Sequence, residues 1–126
     1  MEFDLDNMYC GAIRRGDIFL HEEIKGKEIP VVVLQDNILN DGLPSVVCAL
    51  LVPHKKGQEV FANEVCLKSD ETGLGKDALC QLHKIVTMDR RGMVAKKGEL
   101  SVPRLQEVYH ALDVNCGRFR DQKTSL

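Results

Sequence analysis

The pattern of this chain predicts a mainly β fold with some α: a small, strongly bent antiparallel sheet, or partly open barrel, closed by one C-terminal helix. Three observations carry that expectation. Pro30–Leu34 and Val46–Val52 are continuous apolar runs rich in β-branched residues, so both read as strands buried on two sides. Several shorter runs of strand character are separated by turn signals. Near the end, Val102, Leu105, Val108, Ala111 and Leu112 recur at three-and-four spacing, the period of an amphipathic helix.

The elements follow in order. Residues 1–12 read as a loose acidic arm in which Met8 and Tyr9 are the residues able to dock. Ile13–Leu20 is a strand whose Gly16 marks a bulge or a close backbone approach. His21–Glu28 is a charged loop with one glycine. The two dry strands come next, joined by Gln35-Asp36-Asn37 and the turn signal Asp41-Gly42. Pro53–Gly57 is a basic turn, and Glu59–Leu67 alternates enough for an outer strand. Ser69–Gly75 is a loop, and Ala78–Asp89 is one long bent strand or two short ones. The helix spans Ser101–Val114, with Ser101 as N-cap and Pro103 in the first turn, where its missing N–H costs nothing. These elements divide the chain into an arm (1–12), a single domain (13–114) and a polar, basic tail (115–126).

Composition narrows the function classes. Of the 126 residues, 44% are hydrophobic and 29% charged, ordinary for a soluble globular domain. A net charge of −2 gives no global pull on a polyanion, so a nucleic-acid site must be a local basic patch. No apolar run approaches the roughly 18 residues of a membrane span, and the acidic start lacks signal-peptide character; a cytoplasmic protein is expected. The five cysteines are odd in number and form no CxxC pair. Cys48 and Cys66 sit in apolar strand patterns as small hydrophobes, whereas Cys10 and Cys116 are the expected exposed thiols. No metal-ligand spacing appears, so neither a metal nor another cofactor is expected.

Particular residues then match a family. Arg14-Arg15-Gly16-Asp17-Ile18-Phe19, Pro30–Asn37 with Asn40, Pro44–Leu51, Thr72-Gly73-Leu74, Lys76-Asp77 and Ile85-x-Thr87-x-Asp89 resemble, in order and spacing, the motifs of the MazF/PemK toxins of bacterial toxin–antitoxin modules. The resemblance covers roughly residues 12–114 and implies the CcdB/MazF-like fold. It also implies a homodimeric endoribonuclease that cuts single-stranded RNA without metal, and an antitoxin protein that blocks its groove.

In-line attack by a ribose 2′-hydroxyl needs a base, an acid for the leaving oxygen, and donors or a cation for the phosphorane charge. The family's arginine and threonine positions are here Ile29 and Val52, neither of which can donate, accept or carry charge. The glutamate-glutamine pair often found before the last strand is His83-Lys84, and the loop that helps relatives grip RNA is shortened. The catalytic residues therefore stay open, with His54 and His83 as candidate replacements for the acid or base. Adjacent on a strand, His83 and Lys84 are expected to point to opposite faces, so only one lines the groove. Candidate RNA contacts are Arg15, Lys25, Lys27, Gln35, Asp36, Asn37, His54, Lys55 and Lys84. Each has a structural reading too: Gln35, Asp36 and Asn37 as caps of a strand end, His54-Lys55-Lys56 as a solvated turn, and one of Arg14 and Arg15 as partner to Asp17. Phe19 and Phe61 are the aromatics nearest the presumed rim.

Three functions stay open on this reading. The chain is an active metal-independent endoribonuclease with rearranged groups, a catalytically inactive relative that binds RNA or an antitoxin-like peptide, or a CcdB-style growth inhibitor that targets a protein.

Overall fold

A computed structural model of the chain describes residues 3–123. One sheet of six antiparallel strands runs in the order β4-β5-β3-β2-β1-β6. Its strands are β1 (Asp17–Ile24), β2 (Lys27–Val33), β3 (Ser45–Pro53), β4 (Glu64–Leu67), β5 (Ala78–Asp89) and β6 (Met93–Glu99). The helices are α1 (Asn37–Gly42), the single turn α2 (Ser69–Thr72) and α3 (Val102–Cys116).

Both dry runs are central strands. Val31, Val32 and Val33 are each fully buried because the two faces of β2 feed two separate cores. One core joins Ile18, Val32, Leu34, Leu51, Cys80 and Leu82 to Val108 and Ala111 of α3. The other gathers Ile13, Phe19, Val31, Val33, Val46, Cys48 and Met93 on the opposite face. Phe19, expected near the rim, is therefore core, with none of its surface exposed.

The expected loop His21–Glu28 is mostly strand. β1 continues to Ile24, Glu22 pairs with Glu28, and the turn is Lys25-Gly26 with Gly26 at φ +82°. Charged side chains suit a strand whose partner is already in register, and pairing outweighs their low β-propensity. β5 resolves the two alternatives for Ala78–Asp89 in favour of one strand. Its pairing with β3 jumps from Ala49↔Ile85 to Leu51↔Cys80, so residues 81–84 bulge and bend it. Asp17, buried at the start of β1, accepts the backbone N–H of Arg14 at 2.8 Å and lies 3.4 Å from Lys96 Nζ. Neither arginine side chain pairs with it: the Arg14 guanidinium turns to Asp41 instead.

Around the curled sheet, α2 leans on the far edge strand. Gly73 (φ +70°) and Gly98 meet there so closely that a Cβ on Gly73 would fall 1.9 Å from the Lys97 carbonyl oxygen, and one on Gly98 2.4 Å from that of Glu71. Arg104 of α3 locks the junction, donating to both Glu71 carboxylate oxygens (2.8 and 3.2 Å) and to the Cys66 carbonyl (2.5 Å). Ser101 caps α3, its Oγ accepting from the Arg104 N–H, and Gly117 ends the helix two residues later than expected.

The N-terminal segment is docked rather than loose. Tyr9 donates its N–H to the Met93 carbonyl at 2.7 Å and sets its ring edge-on to Phe19, 4.9 Å between centroids. Of the expected tail, Arg118–Lys123 forms short 3-10 turns, and residues 124–126 lie outside the described residues, as do residues 1 and 2 of the arm. No helix among the described residues is long and apolar enough to cross a membrane.

Candidate nucleic-acid interface

Strand register gathers the positions that matter onto one face. His21 of β1 lies opposite Ile29 of β2. The β2–β3 register, Val31↔Leu50, carried two residues further, sets Ile29 opposite Val52. His21, Ile29 and Val52 thus form a row across three strands, on the face that carries Phe19 and Val31. Ile29 and Val52 are half-buried and present only methyl groups to the rim.

The hairpin end of this row is basic. Lys25 and Lys27 are exposed on the β1–β2 turn. On the opposite face of the same end, a pocket of about 290 Å³ is lined by Leu20, Glu28, Pro30, Leu51, Lys76 and Asp77, among others, so the end of β3 sits beside the hairpin. In the turn after β3, His54 donates its backbone N–H to the Asp77 carbonyl (3.0 Å), and its Nε2 lies 3.1 Å from the Gln58 carbonyl, where a ring N–H donates. Lys55 donates its N–H to Gln58 Oε1 at 3.0 Å, which leaves its ammonium exposed.

Other expected contacts lie elsewhere. Arg15, Gln35, Asp36 and Asn37 occupy the opposite end of β1 and β2, roughly 20–25 Å away along the strands. Gln35 departs from the expectation of an RNA contact. It is 8% exposed, donates to Asn40 Oδ1 (3.0 Å) and the Ser45 carbonyl (2.9 Å), and accepts from the Val47 N–H (3.2 Å). A saturated, buried amide pins the α1 turn and has nothing left for a ligand. Asp36 caps α1 through the Ile38 N–H, and Asn37 Oδ1 accepts the Arg15 N–H. The Arg15 guanidinium lies over the Tyr109 ring, 5.5 Å from its centroid.

His83 and Lys84 fall in the β5 bulge, so strand alternation does not separate them and both are exposed. Phe61 is 58% exposed near β4. His21, which the sequence placed in a charged loop, is instead buried in the row. It is 1% exposed, its Nε2 lies 2.9 Å from the Asp89 carbonyl, and its Nδ1 has no hydrogen-bond partner among the described residues. The odd-numbered series Asp17, Phe19, His21 was the available signal, since it continues one face of the strand.

Charge around the row is fixed by pairing. The Arg91 guanidinium, donating to both oxygens of Asp89 (3.0 and 2.8 Å), holds that carboxyl below the usual carboxylate range. Burial pushes Asp17 up, against the Arg14 N–H and Lys96. Burial also pushes the Cys48 and Cys80 thiols up to about 12. No group of three His, Cys, Asp or Glu side chains among the described residues is placed to hold a metal ion.

Comparison with known proteins settles the ancestry. Residues 14–115 match the model of the PemK-like, MazF-like toxins of type II toxin–antitoxin systems. The chain belongs to this family. Among curated proteins it is similar to the endoribonuclease MazF of Staphylococcus epidermidis, 30% identical over 111 residues that span 83% of this chain and 92% of the relative. The endoribonuclease MazF of Staphylococcus saprophyticus is 28% identical over the same shares. Solved structures share the fold at low identity. A mycobacterial endoribonuclease in complex with its cognate antitoxin superposes with a TM-score of 0.70 at 17% identity, covering 84% of this chain and 96% of that one. A MazE–MazF structure from Deinococcus radiodurans gives 0.68 at 17%, over 85% and 97%. The row of Ile29 and Val52, the two-residue β1–β2 turn and the His83-Lys84 bulge all fall within the matched span.

Proposed function

We propose that this chain is a toxin that acts as an endoribonuclease on single-stranded RNA in the cytoplasm, as a homodimer held in check by an antitoxin protein. The observation that supports the reading is the similarity to endoribonucleases over 92% of their length, on a chain whose residues 14–115 match the family model. The reaction needs no metal: the 2′-oxygen attacks the adjacent phosphorus, the bond to the 5′-oxygen breaks, and a cyclic phosphate forms. A base takes the 2′-hydroxyl proton and an acid supplies one to the 5′-oxygen.

Several features support the hairpin end as the place for this chemistry. Lys25, Lys27 and Lys55 supply exposed cations for phosphate, and His54 supplies an imidazole within the same turn. His83 with Lys84 is the second imidazole–cation pair. The lysines act as mobile point charges and replace a fixed guanidinium weakly, so turnover is slower than with the family's arginine. Exposed Ile38 (80%) and Leu39 on α1, with Leu43 just after it, support burial of that surface against a second copy.

The test is cleavage of a long unstructured RNA in EDTA by the wild type, His54→Ala and His83→Ala. Cleavage that one substitution lowers by about 10²-fold or more identifies the acid or base. Intact RNA at enzyme excess, with RNA still bound in a salt-dependent way, would instead make the chain an RNA-binding relative switched off at Ile29 and Val52.

A further inference from the structure

We propose that Phe3–Tyr9 is an in-cis cover over the His21 end of the row His21–Ile29–Val52, and that RNA reaches the row only when this cover lifts. The inference rests on the ribonuclease reading for its ligand and on the geometry of the segment for its mechanism. The segment precedes the family match, which begins at residue 14.

Its attachment is uneven along its length. At Tyr9 it is anchored by the 2.7 Å hydrogen bond to Met93 and by packing on the fully buried Phe19 ring. At Phe3, among the described residues, it is held by one ring contact and one cation–π contact. The Phe3 ring stands edge-on to His21, 6.4 Å between centroids, and the Arg91 guanidinium lies 4.8 Å from the Phe3 ring centre. Between these points Leu5 is 60% exposed, and Asp4 and Asp6 face solvent. A cavity of about 220 Å³ separates Phe3 and Asp4 from Glu22 and Lys25 of the hairpin, so this end does not pack tightly. The segment is therefore built to swing about Tyr9, with Phe3 leaving first.

Two chemical facts give the motion a purpose. Asp4 brings a carboxylate to the hairpin, across a cavity from Lys25, one of the phosphate contacts of the proposed site, so the closed cover occupies the place of an anionic strand. Beneath it, His21 is buried with Nδ1 unpartnered among the described residues, while a Cβ on Gly92 would fall 2.3 Å from its Nε2. Lifting the Phe3 end opens the imidazole to solvent or to nucleic acid, which supplies the missing partner. While the cover is closed, apparent RNA affinity is reduced by the fraction of molecules that are open.

The experiment uses the full chain, Phe3→Ala, and a chain lacking residues 2–7 that keeps Tyr9. Two quantities are measured on each: the rate at which diethyl pyrocarbonate modifies His21, read by mass spectrometry with His54, His83 and His110 as internal controls, and the affinity for a fluorescent single-stranded RNA at fixed salt. Both variants are expected to raise His21 modification and tighten RNA binding about tenfold, the effect of removing an edge-on aromatic contact and a cation–π contact from the closed state. Unchanged His21 modification in both variants overturns the cover. So does faster modification with RNA bound equally by all three chains. RNA bound by none of them overturns the ribonuclease reading, and with it the cover's competition with RNA. Phe3→Ala keeps the test decisive if the shortened chain does not fold.

Discussion

Ile29 and Val52 are where single side chains decide most. In the proposed site these two side chains bring no donor, acceptor or charge, so supplying the groups that the family resemblance implies should raise rate: Ile29→Arg with Val52→Thr is expected to increase RNA cleavage about 10²–10³-fold, measured as single-turnover rate in EDTA. The cysteines give a second prediction. Burial pushes Cys48 and Cys80 up to about 12, while Cys10 and Cys116 are exposed. Timed thiol labelling at pH 8 should mark Cys10 and Cys116 rapidly and reach Cys48 and Cys80 only after denaturant is added. At this scale the sequence was partly legible. Cys48 reads as core because it sits in an unbroken apolar run. Gln35 stayed open between strand-end cap and RNA contact because a polar residue there looks the same whether its amide turns outward or inward, and only the position of Asn40 and Ser45 decides.

Among the elements, the junction of α2 with α3 carries a pH dependence. Burial alone would raise Glu71, but Arg104 and the Lys68 N–H outweigh it and hold the carboxyl below the usual range. The folded chain then binds fewer protons than the unfolded one, so stability is present above the usual glutamate range and is lost as pH falls through the folded value. Urea midpoints of the wild type should therefore drop more steeply on acidification than those of Glu71→Gln. Helix α3 itself was readable because period, N-cap and first-turn proline agreed; Ser101→Ala should cost about 1 kcal/mol in the same titration. β6 was not readable. Met93–Glu99 has two lysines and a glycine, and becomes a strand only because β1 offers it a ladder.

Over the whole molecule, the predicted bent sheet with a C-terminal helix is the one observed, since two dry strands need cover on both faces and a single helix covers only one. The curvature was legible only as a possibility in β5, because a bulge depends on pairing with β3. Closure depends on Gly73. A methyl there meets the Lys97 carbonyl, whereas Gly26, at a similar positive φ, has open space around it. Gly73→Ala should thus lose about 2–3 kcal/mol in denaturant unfolding, and Gly26→Ala only about 1 kcal/mol.

The same glycine contact has a consequence for solubility. A six-stranded sheet has two free edges, each a template for a stray strand and the start of a fibre. One edge here, β4, is four residues long. The other, β6, is kinked by two shifts against β1, carries Lys96 and Lys97, and is blocked near its end where α2 seats on Gly98. An incoming chain finds no straight run to extend, so the free sheet stays a discrete body instead of seeding aggregates of itself.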